Sequence, residues 1–216
     1  MAAMRKDGQQ TCNRLLEAAT VVFAQKGYRD TTVAAIAKEA GCNTAAVNYH
    51  YGSKEQLYAA VWHAAFDKVQ EAFPLEGGLT VENPAAERLR IFIQSMINRL
   101  LSLGELGCAG QILLMELGHP TEVIEMVRMD AVEPIRFWMD RIIRDLLGPG
   151  ASQQQVIFCI TSVVHQCLAL GFRQGKTPPP FRDLDPQMLK EDLAEHIYQF
   201  SMAGIAAVRR QVEDRE

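Results

Sequence analysis

Residues 31–57, TTVAAIAKEAGCNTAAVNYHYGSKEQL, limit the possible fold more than any other stretch of the chain. Four small or apolar residues follow the i, i+3, i+4, i+7 spacing of one helix face: Val33, Ile36, Ala37 and Ala40. Gly41 suits the position after a helix where a positive φ is favoured, and Asn43 can cap a second helix. Ser53 and Gln56 form a capping box that opens a third helix. The stretch therefore predicts two short helices joined by a tight turn and followed by a longer helix.

A helix before this stretch completes a small three-helix unit. It is predicted from about Thr11 to Lys26, with a stop at Gly27 and an apolar inner stripe of Leu15, Ala19, Val22 and Phe23. The helix predicted at residues 44–50 is then the second helix of a helix-turn-helix, which places its N-terminal residues in the major groove of DNA. The pattern is typical of a sequence-specific DNA-binding protein.

The same residues resemble the DNA-binding domain of the TetR family of bacterial transcriptional regulators. The likeness covers residues 11–62 and is carried by Phe23, Gly27, Thr31-Thr32-Val33, Ile36-Ala37, Ala40-Gly41, Asn48-Tyr49-His50-Tyr51 and Ser53-Lys54-Glu55-Gln56-Leu57. It implies an all-α fold of about nine helices. Residues 1–55 would form an N-terminal helix-turn-helix domain, and residues 56–216 a C-terminal domain for effector binding and dimerisation. It also implies a repressor that a small-molecule effector releases from its operator.

Two shorter segments resemble the CecR-like subgroup of that family. They are ELGHPTEVIEMVRMDAVEP at residues 116–134 and VHQCL at residues 164–168. The subgroup implies a small organic effector and not a metal. We predict no cofactor.

Eight residues are candidates for DNA contact: Thr32, Thr44, Ala45, Ala46, Asn48, Tyr49, His50 and Lys54. Thr32 can cap its helix, whose first N–H groups can face a phosphate. Thr44 and Asn48 can hydrogen-bond base edges, and the alanine methyl groups can touch a thymine methyl. The resemblance assigns phosphate contacts to the last three residues of the set. Many family members carry an aromatic side chain at residue 48, so the asparagine there is expected to shift the preferred DNA sequence.

The rest of the chain is predicted to be helical. Helices are expected over residues 54–73, 85–103, 108–117 and 121–147, and then from Ser152 to Gly171 and onward from Pro186. Pro134 is expected either to kink the helix of residues 121–147 or to divide it into two segments. Residues 74–84 are predicted to be a loop, and Lys176–Pro180 a rigid linker. Residues 1–10 are expected to be a solvated tail or an arm that brings Arg5 and Lys6 to DNA.

Nine residues of the larger domain are candidates for an effector pocket: Trp62, Phe66, Phe92, Met96, Met115, Glu116, Met129, Phe137 and His165. Methionine and aromatic side chains suit apolar or aromatic ligands. The alternative for the apolar members is an ordinary helical core, because interiors are filled with these residue types.

Charge and cysteine content narrow the function classes. The net charge is −4, which argues against a protein that coats DNA without sequence preference. Residues 1–63 hold seven basic and five acidic residues, whereas the rest of the chain holds 15 basic and 21 acidic residues. This mildly basic end is compatible with DNA binding, although ordinary fluctuation is an alternative. Five cysteines without CxxC spacing, no apolar leader and no long apolar run predict a cytoplasmic protein with no membrane segment.

Two alternatives concern assembly and activity. The last two predicted helices carry wide apolar stripes, which favours a homodimer on a palindromic double-stranded operator, but both stripes could instead face their own core. An all-helical enzyme is the competing function. We predict no enzyme, because no nucleophile lies beside a base at motif spacing and no phosphate loop or metal cluster occurs in the sequence.

Overall fold

The computed structural model describes residues 6–171 and 185–214, and over these residues the chain is all-helical. The helices are α1 Lys6–Asp30, α2 Val33–Glu39, α3 Thr44–Tyr51, α4 Lys54–Ala72, α5 Ala85–Leu101, α6 Glu105–Gly118, α7 Ile124–Val127, α8 Glu133–Leu147, α9 Gln153–Gly171 and α10 Pro186–Glu213, with a π-helical segment at Arg128–Val132 between α7 and α8. The predicted fold class is confirmed.

The helices form two compact units that are not continuous in sequence. Unit 1 comprises Met1–Val69 and Leu103–Arg128, and unit 2 comprises Gln70–Ser102 and Met129–Glu216. In unit 1, α6 packs against α1, so a helix distant in sequence joins the helix-turn-helix. The predicted functional boundary after residue 55 stays a prediction.

An aromatic cluster forms the centre of unit 1. The rings of Phe23 and Tyr58 meet edge to face with centroids 4.7 Å apart, and Tyr28 lies 5.1 Å from Tyr58. Tyr58 donates a hydrogen bond of 2.9 Å to the carboxylate of Glu116 in α6. Thr121 also bonds that carboxylate through its hydroxyl and its backbone N–H. Neutral donors therefore supply the hydrogen bonds of Glu116, a residue that is only 1% exposed.

Several predicted helix limits were wrong, among them the start at residue 121, since α7 begins at Ile124. First, α1 begins at Lys6, so residues 6–10 are helical and not a tail; the Gln9 amide supports this turn by donating a hydrogen bond to Asn13. Second, α6 begins at Glu105, because Gly104 with φ 61° makes the turn and an acidic residue suits the first turn of a helix. Third, α5 ends at Leu101 and not at residue 103.

The region of Pro134 contains two α-helical segments, α7 and α8, joined without a break by the π-helical segment. Proline has no N–H and cannot bond the carbonyl four residues earlier. The chain is π-helical over Arg128–Val132, and Pro134 then lies in the first turn of α8. The predicted disturbance at Pro134 is therefore seen as a change of helix type, with no non-helical residue between α7 and α8.

Unit 2 surrounds α5, which packs against α8, α9 and α10. Ser152 and Gln155 form a capping box at the start of α9, and the side chain of Asp185 caps the start of α10. The start of the predicted loop before α5 is held by hydrogen bonds from α5. Ser95 donates to the carbonyl of Pro74, and Arg99 donates to the carbonyl of Phe73. Burial lowers the pKa of Arg99 to about 10, which leaves its guanidinium charged at neutral pH.

Two predictions lie outside the described residues, namely the DNA contact of Arg5 and the Lys176–Pro180 linker. Within the described ranges, no single helix is both long and apolar enough to cross a membrane, although α5 and α6 would pass that test as a bent pair.

Candidate nucleic-acid interface

The turn between α2 and α3 is a Schellman motif. The N–H of Cys42 donates to the carbonyl of Ala37 at 2.9 Å, and the N–H of Gly41 donates to Lys38 at 3.2 Å. Gly41 has φ 64°, the left-handed conformation that this motif requires. The predicted stop at Gly41 is confirmed, and the turn fixes the direction in which α3 begins.

Side-chain caps define where both helices of the motif begin. The hydroxyl of Thr32 accepts a hydrogen bond of 3.1 Å from the N–H of Ala35, and the Asn43 side chain accepts one of 3.0 Å from Ala46. Each cap satisfies one of the backbone donors that a helix N-terminus leaves unpaired. Both residues were predicted as caps, and Thr32 is exposed, so its cap can coexist with a DNA contact.

The two faces of α3 differ sharply in exposure. Val47 is fully buried and anchors α3 in the core of unit 1. The exposed face carries two pairs of residues four apart, Thr44 with Asn48 and Ala45 with Tyr49. Tyr49 is 81% exposed. The structure thus brings four of the eight DNA-contact candidates onto one accessible strip of α3, which we call the α3 strip.

Two further candidates, Ala46 and His50, lie on α3 beside this strip. Ala46 and His50 are half-buried, and the imidazole of His50 meets the ring of Tyr49 edge to face, with centroids 5.0 Å apart. The C-terminal end of α3 is tied to α1 because the Tyr51 hydroxyl donates a hydrogen bond of 3.0 Å to the carbonyl of Cys12. Tyr51 itself is half-buried.

Lys54 has a structural role that the sequence did not indicate. Its ammonium donates hydrogen bonds to the carbonyls of Tyr28 at 2.9 Å and Thr31 at 3.1 Å, and it lies 4.1 Å from the centroid of the Tyr28 ring. These contacts tie the start of α4 to the segment just before the Thr32 cap. An ammonium has three N–H donors, so one remains for a phosphate.

The neighbouring Glu55 strengthens the same junction. It accepts a hydrogen bond from the hydroxyl of the buried Tyr28. This bond, followed by that of Ser53, lowers the pKa of Glu55 to about 2, so the carboxylate stays ionised throughout the physiological range. Polar contacts from the side chains in the first turn of α4 therefore hold the junction of α1, α2 and α4 in place.

Seven of the nine effector-pocket candidates lie in different surroundings. Trp62 and Phe66 stack on each other, and Glu116 bonds Tyr58, all inside unit 1 with the half-buried Met115. Phe92 and Met96 are buried in the core of unit 2, whereas His165 is exposed on α9.

Met129 and Phe137, the last two candidates, do lie together. They line an open groove of about 900 Å³ on unit 2, built by the π-helical segment, α8 and the start of α9. Its walls also include Trp138, Ile157 and Ile160. The described residues contain no cluster of three or more His, Cys, Asp or Glu that could hold a metal ion.

The apolar residues of the last two helices are only partly buried. Val156, Val163, Cys167 and Leu168 of the α9 stripe are buried in unit 2. Phe158, on another face of α9, is 60% exposed, and Phe200 of α10 is 64% exposed. Phe158 was not predicted as an exposed residue because it lies outside the longest apolar stripe of α9. The residues three and four positions before and after it are polar, and this pattern could have indicated its exposure.

Two protein families match different parts of the chain, and together the matches cover most of its length. Residues 15–61 match the family described as "Bacterial regulatory proteins, tetR family". Residues 85–205 match the family described as "HTH-type transcriptional dual regulator CecR, C-terminal domain". The chain is also 29% identical to the HTH-type transcriptional dual regulator CecR of Shigella flexneri over 183 residues, which is 81% of this chain and 80% of that one.

Solved structures share the fold. A TetR-like transcriptional regulator from Rhodococcus sp. RHA1 superposes with a TM-score of 0.67 at 17% identity, over 95% of this chain and 99% of that one. AibR, solved in complex with isovaleryl coenzyme A and operator DNA, superposes with a TM-score of 0.62 at 18% identity, over 87% of this chain and 98% of that one. At these identities the likeness concerns the fold.

Proposed function

Because the chain belongs to the TetR family of bacterial regulatory proteins and carries a CecR-type C-terminal domain, we propose that it binds a palindromic operator as a homodimer and leaves it when a small organic effector binds. Its class is established: it is a DNA-binding transcriptional regulator of a family of ligand-responsive repressors, and not an enzyme. The resemblance seen in the sequence is thereby confirmed. What we propose is the homodimeric state, the DNA-contact residues, the effector site and a cytoplasmic location.

The α3 strip carries the proposed DNA contact. Thr44 and Asn48 hydrogen-bond base edges in the major groove, Ala45 and Ala46 touch thymine methyl groups, and Thr32 with Tyr49, His50 and Lys54 contacts phosphates on either side. The observation that supports this assignment is the exposure of a polar pair beside small residues on a helix whose opposite face is anchored by Val47. Small side chains beside Asn48 allow the helix to approach the base edges closely.

The proposed dimer forms through α9 and α10. These helices pack against each other in unit 2, and each exposes a large aromatic side chain, Phe158 and Phe200. Large contiguous apolar patches on a protein surface mark interaction sites, and we propose that these two phenylalanines belong to such a patch. A two-fold dimer presents two α3 strips, which matches a palindromic site.

The effector site is proposed at the groove of about 900 Å³ on unit 2 that Met129 and Phe137 line. Its volume falls in the range of small-molecule pockets, and its apolar and aromatic walls suit an organic ligand. AibR, which shares the fold, is described with both an acyl-coenzyme A and DNA, which supports coupling of the two kinds of ligand. The other seven pocket candidates stay predictions. Release follows if the effector prefers a dimer whose α3 strips have the wrong separation.

Operator binding tests this proposal. Labelled DNA from upstream of the chain's own gene is titrated with protein, and fluorescence anisotropy is compared with that of a scrambled duplex of equal length. We expect binding at least about a thousandfold tighter to the matched DNA, as is usual for specific readers. Equal affinity for both duplexes, with a selected operator also failing, would contradict sequence-specific reading.

A further inference from the structure

A second groove lies within unit 1, apart from the proposed effector site. It has a volume of about 460 Å³ and is formed where one face of α1 meets α4 and α6; we call it the α1–α4–α6 groove. It shares no residue with the groove on unit 2 or with the nine predicted pocket residues. Its volume is sufficient for a small organic molecule.

The floor of the groove is apolar. Ala24, Ala65 and Cys108 are nearly fully buried there, while Val21 on the wall is 45% exposed. Burial raises the pKa of the Cys108 thiol, so the thiol is neutral at neutral pH and presents an apolar surface. Alanines in place of larger side chains on α1 and α4 leave the space that a ligand body would fill.

The rim of the groove carries excess negative charge. Glu17 and Glu105 supply two carboxylates, and Lys68 supplies one ammonium. Lys68 bonds Glu105 at 2.8 Å, which lowers the pKa of that carboxyl, and the N-terminus of α6 favours the same negative charge. Within the part of the chain that the structure describes, Glu17 has no ion pair or side-chain hydrogen bond, so its charge is the one left uncompensated.

Two amides complete the polar part of the site. Gln25 and Gln111 line the groove, and neither side chain has a hydrogen bond to another described residue. Their amide oxygens can accept from an N–H donor or face a cationic group. Glu17 and Val21 are four residues apart on α1, so the free carboxylate and the exposed apolar wall lie on the same helix face.

From the apolar floor, the uncompensated carboxylate and the free amides, we propose that the α1–α4–α6 groove binds a small lipophilic cation, that is, an amine or delocalised cation carried on an apolar body. The body fills the space over Val21, Ala64 and Ala65, and the cation lies beside Glu17. One bound molecule would touch three helices, two of which also form the junction with the helix-turn-helix.

Rhodamine 6G, a fluorescent lipophilic cation, is the probe for the test. Its anisotropy is titrated with the full chain and with three variants. Glu17→Gln should weaken binding about threefold to tenfold, as expected for a partly exposed charge pair. Val21→Lys, at an exposed position, should weaken it at least about tenfold by repulsion and lost apolar contact. Glu71→Gln is the matched control, because Glu71 is exposed on α4 outside the groove.

Fluorescein, an anionic dye with the same ring system, is the ligand control and should bind at least about tenfold more weakly. Unchanged rhodamine affinity in both groove variants, or equal affinity for the two dyes, would overturn the proposal. Operator binding is measured on the same protein samples. If the protein binds operator but shows no difference in affinity between the two dyes or between the variants, only the groove proposal is refuted. If sequence-specific DNA binding is absent while the dye affinities are as expected, only the proposed operator function is refuted.

Discussion

Asn48 is the residue of the α3 strip with the clearest expected effect on sequence choice. Its amide can donate to and accept from one adenine, so Asn48→Ala should lose about 1–3 kcal/mol on the matched operator and almost nothing on a scrambled duplex. Anisotropy titrations on both duplexes at one salt concentration measure the difference. Equal losses on the two DNAs would show that Asn48 contacts the backbone instead of a base.

Lys54 is expected to have two separable effects. Lys54→Ala leaves the carbonyls of Tyr28 and Thr31 without their donor, so the free energy of unfolding should fall by about 1–2 kcal/mol. If its third N–H contacts a phosphate, binding to every sequence weakens and the salt slope of log K falls by about one. Denaturant unfolding and binding at several salt concentrations measure the two effects. A stability loss with an unchanged salt slope would leave Lys54 with a purely structural role.

The contrast between these two residues shows what the sequence reveals at this scale. The exposure of Thr44 and Asn48 follows from helix periodicity and the position of Val47, so it was predictable. The carbonyl contacts of Lys54 depend on where Tyr28 and Thr31 are brought by folding, and no local pattern encodes that. The same limit applies to Glu116, which was a pocket candidate and is found bonded to Tyr58 and Thr121.

At the scale of elements, the turn between α2 and α3 offers a sharp test. Gly41 has φ 64°, and apart from its own residue and its two chain neighbours no atom lies within 4 Å of the position a Cβ would occupy. Gly41→Ala should therefore destabilise the protein by about 1 kcal/mol through backbone conformation alone. Gly118→Ala is the matched control, because its added Cβ also meets nothing and its φ is not positive. Chemical denaturation should show a change within about 0.5 kcal/mol for the control; equal effects of the two substitutions would contradict the argument.

Helix limits that depend on local side-chain chemistry were predicted well, whereas helix limits that depend on packing were not. The caps at Thr32, Asn43 and Ser152 need only a side chain three residues before a free N–H, so the sequence specifies them. The start of α1 at Lys6 and of α6 at Glu105 has no strong local signal. The π-helical segment arises where Pro134 removes a backbone donor, which the sequence indicated only as a kink or a break.

At the scale of the whole molecule, the proposed dimer surface is testable by charge. The double substitution Phe158→Asp and Phe200→Asp places two carboxylates on the exposed faces of α9 and α10, and we expect it to halve the molar mass in solution. Light scattering after size-exclusion chromatography measures this. Leu103→Asp is the control, because Leu103 is 74% exposed in unit 1. A dimer that survives the double substitution would mean that another surface pairs the subunits.

Neither groove could be predicted from the sequence, since each depends on helices that packing brings together. The α1–α4–α6 groove joins residues up to 95 positions apart, from Leu16 to Gln111. The class of protein was accessible because the helix-turn-helix is contiguous in sequence and its residue types are restricted by the turn, the caps and the approach to DNA.

Selection of DNA from a random duplex pool by the full-length chain tests the central claim most directly. If paired α3 strips read the DNA, the enriched sequences should be palindromic, with half-site centres about 10 base pairs or a whole number of helical turns apart. Asn48→Ala in a parallel selection should relax one position in each half-site and leave the spacing unchanged. Enrichment of no common motif, or of a single asymmetric site, would contradict the account.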